Sequence, residues 1–270
     1  MNLYKDKTAL ITGASSGIGA AFAKRLAAEG THLLLVARSE EKLHALASQL
    51  TNQYAIHAEV IVADLSSVGI AHTVFAETQR RGLTVDILIN NAGFGTYGSF
   101  ETLDAEREQE EIRLNVATLV DLTHSFLPLM LARHQGAIIN VASLAAFQPI
   151  PYMAVYAASK AFVLSSSEAL WGEYRTKGVR ILAVSPGETA TEFFRVVGDE
   201  YVAPAKLETP EQVVQVALRA LEQGRSSVIS GRQNALLANS SRFFPRGLTV
   251  RLTMLFGNRR RPSEPQIKTV

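Results

Sequence analysis

The chain has 270 residues with no cysteine, a formal net charge of +2, and a composition that is 47% hydrophobic and 19% charged. It can bury one large core, whereas disulfides, thiolate metal sites and cysteine nucleophiles are excluded. The small charge gives no ground for nucleic acid as a partner, and the six histidines lack metal-ligand spacing, so no metal is expected. Met1–Asp6 does not read as a leader and no apolar run reaches about eighteen residues, which makes the cytoplasm the default location.

Thr8–Thr12 is a short apolar run expected to form a strand, and Gly13-Ala-Ser15-Ser16-Gly17-Ile18-Gly19 follows before the helix-like stretch Ala20–Glu29. Strand, glycine loop and helix together can hold a pyrophosphate, because glycine lets backbone approach it and the helix N-terminus offers unpaired N–H groups. The spacing is Gly-x-x-x-Gly-x-Gly, not the commoner Gly-x-Gly-x-x-Gly, and a glycine turn serving only tight packing remains open. His32–Ala37 reads as the second strand, closed by Arg38-Ser39. An acid there would bind the ribose hydroxyls of NAD, whereas Arg38 suits the 2′-phosphate of NADP; a solvated strand end is the alternative.

His57–Ala63 is expected as a third strand ending in Asp64-Leu65, and Val85–Asn90 as a fourth ending in Asn91-Ala92-Gly93. Strands alternating with helices predict a single doubly wound α/β domain, with about seven parallel strands and helices on both faces. Ligands then lie beyond the carboxyl ends of the strands, which brings Asp64, Leu65 and Asn91–Gly93 to the adenine and ribose side of a dinucleotide. A long helix is expected over Asp104–Ala132, carrying Asn115 near its middle. Amid Leu114, Val116 and Leu119, that asparagine needs hydrogen-bond partners if buried.

Ala137–Ala142 reads as the fifth strand, with Ser143 at its carboxyl end and Tyr156 thirteen residues on. Tyr156 and Lys160 stand four apart in an alanine-rich run, so a helix brings them to one face. At an effective dielectric near 20, charges about 4 Å apart attract by roughly 4 kcal/mol, and about 1.36 kcal/mol moves a pKa by one unit. Half of that would carry a phenol well towards neutrality, where general acids and bases work best. After the sixth strand, Val179–Ser185, come Pro186, Gly187, Thr189 and Thr191. Thr209-Pro-Glu-Gln212 then caps a helix, and Ser227–Ser230 can supply a last strand.

In this order, Thr12-Gly-x-x-x-Gly-x-Gly19, Asn90-Asn-Ala-Gly93, Asn115, Ser143, Tyr156-x-x-x-Lys160 and Pro186-Gly187 resemble the signature of the short-chain dehydrogenase/reductase family, over about residues 5–230. The resemblance implies hydride transfer between NADP(H) and a carbonyl or secondary alcohol. In that scheme Tyr156 protonates the alkoxide and Ser143 holds the carbonyl oxygen. Lys160 lowers the tyrosine pKa and binds the nicotinamide ribose, while Asn115 supports a water behind Lys160. It further implies that Thr191 helps hold the nicotinamide, that a lid spans about 188–207, and that the enzyme is a homodimer or homotetramer paired through the helices bearing Tyr156 and Asn115. Thr189 stands where the family more often has an aliphatic residue.

Phe94, Phe147, Met153, Phe193 and Phe194, with Tyr97 and Ile150, suggest an apolar substrate cleft. The rival readings are an NAD-linked alcohol dehydrogenase of the same fold, which Arg38 opposes, and a non-catalytic NADP-sensing module, which need not retain the four catalytic-type residues together. Residues 1–231 are read as the dinucleotide-binding and catalytic domain. Residues 232–270 are read as a basic, partly apolar extension that packs on the enzyme and frames its cleft, with contact to an anionic membrane surface as the less favoured alternative.

Overall fold

The computed structural model describes residues 3–191, 207–240 and 243–257. Its centre is one sheet of seven strands: β1 (Thr8–Thr12), β2 (His32–Ala37), β3 (Ala58–Val62), β4 (Ile87–Asn90), β5 (Gly136–Val141), β6 (Val179–Ser185) and β7 (Ser227–Ile229). The spatial order is β3-β2-β1-β4-β5-β6-β7 and every neighbouring pair is parallel. Leu10 of β1 is in register with Leu34 on one side and Leu88 on the other, and all three are fully buried. Such continuous apolar strands need cover on both faces.

The cover comes from α1 (Gly17–Ala28), α2 (Glu40–Tyr54) and α7 (Pro210–Glu222) on one face. On the other lie α3 (Ile70–Arg80), α5 (Leu119–Ala132) and α6 (Ala154–Tyr174). Phe22 and Leu26 of α1 pack on the first face, and Leu122, Phe126 and Met130 of α5 on the second. Each such burial stabilises the fold by about 1.5–3 kcal/mol. Helix α7 starts where the sequence reading puts it: the Thr209 hydroxyl accepts from the Gln212 N–H, the Gln212 side chain caps back, and Pro210 opens the first turn.

The long helix expected over Asp104–Ala132 is present but not uniform. Asp104 caps α4 (Ala105–Ile112), a π-helical stretch follows over Arg113–Thr118, and α5 continues from it. The widened turn falls at Asn115, a place where π-bulges often serve function. By length and composition Ala105–Ala132 is long and apolar enough to cross a membrane, although Arg113, Asn115 and Asp121 interrupt its apolar run. Burial of Leu122, Phe126 and Met130 against the sheet is what a core helix shows. Helix α1 begins at Gly17, three residues before the expected start, so the glycine loop forms its first turn.

The strand order reverses between β1 and β4, so the loops leaving their carboxyl ends diverge and open a crevice. Beyond Gly231 the chain forms α8 (Arg232–Ser240) and α9 (Arg246–Gly257), which lie over the same end of the sheet. Of the expected lid, Phe193 and Phe194 lie outside the described residues, as does most of 188–207. Its base is paired: Glu208 N–H donates to the Glu188 carbonyl at 3.0 Å, and Ala190 N–H to the Glu208 carbonyl at 2.9 Å.

Candidate active site

A cleft of about 830 Å³ opens at the carboxyl ends of the strands. One end is lined by Gly13, Ser15, Ser16, Gly17 and Ile18, by Arg38 and Ser39 after β2, and by Asp64 and Leu65 after β3. Gly13 has φ +64°, and a Cβ there would come within 2.8 Å of Asn91 Nδ2; one on the buried Gly19 would collide with the Gly13 carbonyl. Glycine is thus required at both positions by the close packing of the loop on itself and on the Asn91–Gly93 turn.

Thr12 ties this loop to the Asn91–Gly93 turn. Its hydroxyl donates to the Ile89 carbonyl at 3.1 Å and accepts from the N–H groups of Asn91 and Ala92 at 2.9 and 3.0 Å. Asn91 Nδ2 returns a bond to the Thr12 carbonyl at 2.9 Å. Asn91, Ala92 and Gly93 all line the cleft. Burial pushes the Asp64 carboxyl up, but bonds from the Ser66 hydroxyl and N–H, with the charges of Arg38 and Arg107, hold it below its ordinary range. Asp64 and Arg38 therefore face the same end of the cleft.

Further along the cleft stand Ser143, Tyr156 and Lys160, with Pro186, Gly187 and Thr189 also in its lining. Thr191 reaches back to the glycine loop, where a Cβ on Gly17 would meet its side chain at 3.0 Å. Ser143 caps a short 3₁₀ turn, Leu144–Phe147, by accepting from the Ala145 N–H at 3.1 Å. An accepting hydroxyl keeps its own proton to donate. Lys160 Nζ donates to the Val141 carbonyl at 2.9 Å and lies 5.8 Å from the centroid of the Tyr156 ring. Burial pulls the Lys160 ammonium down to about 8, while the Glu111 carboxylate opposes that shift.

Asn115 does not open to the cleft. It is buried behind Gly93, where a Cβ would meet its Oδ1 at 2.8 Å and Lys160 Nζ at 3.2 Å. Its Oδ1 accepts from the Phe94 N–H at 3.2 Å, and its Nδ2 donates to the Phe94 carbonyl at 2.9 Å and to Ser159 Oγ at 3.0 Å. Ser159 in turn donates to the Tyr156 carbonyl at 2.8 Å. Asn115 thus clamps Phe94, the residue after the Asn91–Gly93 turn, to the first turns of α6, which carry Tyr156 and Lys160.

One turn before Asn115, Glu111 is wholly buried. Its Oε2 accepts from the Thr96 N–H at 2.9 Å and the Thr96 hydroxyl at 3.0 Å, and its Oε1 has no partner among the described residues. Burial pushes this carboxyl up to about 7 against the pull of the Thr96 bonds; Glu108 adds to the rise and Lys160 opposes it.

Of the expected substrate residues, Phe94 and Met153 line the cleft, as does Ile150. Phe147 does not: the 3₁₀ turn presents Leu144 and Ala145 to the cleft and packs Phe147 on the cluster of Leu119, Ala142, Val163 and Leu164. Tyr97 stacks on Tyr152 with ring centroids 6.1 Å apart, away from the lining. Sequence reasoning missed Arg107, whose guanidinium lies 3.8 Å over the Phe94 ring. Leu237, Phe244, Thr249, Leu252 and Thr253 wall the cleft from beyond β7; the sequence reading has this extension frame the cleft but counts none of the five among the substrate residues. Their only signal was the mixed apolar pattern of residues 232–257.

A family model described as short chain dehydrogenase matches residues 7–201. A very-long-chain 3-oxoacyl-CoA reductase of Anas platyrhynchos is 35% identical over 216 residues, 78% of this chain and 67% of that protein. A 7β-hydroxysteroid dehydrogenase of Collinsella aerofaciens is 34% identical over 229 residues, 83% of this chain and 86% of that protein. Among solved structures, a 7β-hydroxysteroid dehydrogenase superposes with a TM-score of 0.85 at 30% identity, covering 94% of this chain and all (100%) of that one. A short-chain dehydrogenase from Sphingobium yanoikuyae in complex with NADPH gives 0.80 at 32% identity, covering 98% of each chain.

Proposed function

The chain belongs to the short-chain dehydrogenase family, an oxidoreductase family acting on hydroxyl and carbonyl groups, and from that premise we propose that it is an NADP(H)-dependent reductase of bulky apolar carbonyl compounds. The observation that carries the reading is that Ser143, Tyr156 and Lys160 share one cleft with the glycine loop and Arg38. The bound cofactor would supply the hydride. Gly13–Gly19 would hold its pyrophosphate, Arg38 its 2′-phosphate, Asp64 and Leu65 its adenine, and Asn91–Gly93 its ribose. Lys160, Pro186, Gly187, Thr189 and Thr191 would hold the nicotinamide end.

Reduction of a carbonyl builds negative charge on its oxygen, and that charge needs donors already in place. Ser143 O–H holds the oxygen, and Tyr156 O–H gives up its proton to it. The phenolate left behind is stabilised by the Lys160 ammonium, which the Val141 carbonyl orients. The Asn115 side chain is engaged by Phe94 and Ser159, so the water-holding role falls to its backbone in the π-helical turn. Leu144, Ile150 and Met153 supply an apolar wall. Support for a bulky substrate comes from the relatives, which include the bulky-bulky ketone specific alcohol dehydrogenase of Comamonas testosteroni.

The test is loss of reduced-nicotinamide absorbance with NADPH or NADH across steroid, aromatic and long-chain 3-oxo compounds. Turnover with NADPH on apolar members is expected. Tight NADPH binding without turnover on any member would favour the sensing module, and preference for NADH would remove the role given to Arg38.

A further inference from the structure

Helix α9 is turned the unexpected way round. Its threonines face inward: Thr249 is buried, and the Thr253 hydroxyl reaches the Pro149 carbonyl at 3.3 Å at the edge of the cleft. Both hydroxyls also bond carbonyls one turn back in their own segment, Thr249 to Pro245 and Thr253 to Thr249, so they can face an apolar space without an orphaned donor. Leu248, Leu252 and Leu255, at helical spacing along the adjacent stripe, are exposed, Leu255 at 64%. The preceding segment adds Leu236 at 74% and Phe243 at 85% exposure. Three residues, Leu237, Phe244 and Leu252, are at once exposed and part of the cleft lining, so the outer apolar surface runs continuously into the cleft.

The charge this segment of the sequence carries has one sign, although the Glu208 carboxylate lies at its base beside Ser230 and Gly231. Arg232, Arg246 and Arg251 are exposed, and the sequence has no acidic residue between Glu222 and Glu264. Arg242 and Arg259–Arg261, outside the described residues, add to the same sign. A second copy of the chain is a poor fit, because a two-fold pairing of this face would bring Arg246 and Arg251 towards their own copies. An anionic lipid surface fits both features: it solvates the leucines and attracts the arginines.

We infer that α8 and α9 form a peripheral docking surface for anionic membranes, seated so that an apolar substrate passes from the lipid into the cleft at Leu237, Phe244 and Leu252. The surface stands independently of the reaction assigned to the cleft.

Full-length protein is sedimented with phosphatidylcholine vesicles and with vesicles containing phosphatidylglycerol, at low and at high salt. The expected result is co-sedimentation with the anionic vesicles at low salt and release as salt rises. Arg246→Gln and Arg251→Gln should each weaken the partition by roughly fivefold. Leu248→Ser with Leu255→Ser should abolish it, with thermal melting and NADPH binding unchanged from the parent. Absence of co-sedimentation at low salt overturns the proposal. So does vesicle binding that none of these substitutions alters, or a Leu255→Ser variant whose defect is loss of self-association with vesicle binding intact.

Discussion

The ammonium of Lys160 is held 5.8 Å from the ring centroid of Tyr156, anchored by the Val141 carbonyl and buried from solvent. A cation fixed in that place serves two ends, the phenol and whatever occupies the cleft beside it. Lys160→Ala should therefore weaken NADPH binding by roughly tenfold or more and also lower the rate at saturation. Equilibrium titration together with kcat checks both; a loss confined to one would break the double role.

Arg38 lines the cleft at the end of β2 and acts on Asp64 through its charge. A charge-assisted contact to a 2′-phosphate contributes on the order of 1.5–3 kcal/mol, roughly ten- to a hundredfold in affinity. Arg38→Ala should weaken NADPH by that factor and leave NADH nearly unchanged. Equal losses for the two cofactors would make Arg38 a solvated strand end.

Glu111 makes stability depend on pH. Its folded pKa, about 7, stands above the ordinary 4.5, so between those values the native state binds the extra proton. Stability from this group is complete below the unfolded pKa and is lost as pH rises through 7, by on the order of 3 kcal/mol. Glu108 and Lys160, the charged groups facing it, modulate that loss in opposite directions. Urea unfolding between pH 4.5 and 7 should show the parent falling relative to Glu111→Gln; parallel curves would contradict the assignment.

The outer face of α6 exposes Ala154, Ala158 and Ser165, with Phe162 43% exposed among them. Ala157, in the same stretch of small residues, is buried. Small residues around one aromatic allow a second helix to approach, so Ala158→Arg should shift the protein to a smaller species in light scattering. A parent that is already monomeric and active would remove the pairing.

Features set by local spacing were legible beforehand: the glycine loop, Tyr156 with Lys160, and the Thr209–Gln212 cap depend on residues within a few turns of each other. What needed three dimensions was hidden. The π-helical widening at Asn115 leaves no mark on the apolar periodicity and makes sense only once Phe94 and Ser159 stand beside it. Glu111 reads as one more acid in a charged run, yet it is buried because Thr96 folds over it. Phe147 looked like a cleft aromatic, but a 3₁₀ turn of four residues decides which side chains face the substrate. The threonines of α9 obscured its orientation, since a polar side chain on the inner face runs against the usual amphipathic rule.

The most direct test of the mechanism is Tyr156→Phe, assayed with the best substrate from the carbonyl panel. Removing one hydroxyl leaves the ring, Lys160 and the glycine loop in place. NADPH should bind within about twofold of the parent, since the proton donor makes little of the cofactor contact, while kcat falls by on the order of 10²–10⁴, the usual contribution of a general acid. A variant that turns over saturating substrate at a rate comparable to the parent would contradict the assignment of Tyr156 as the acid.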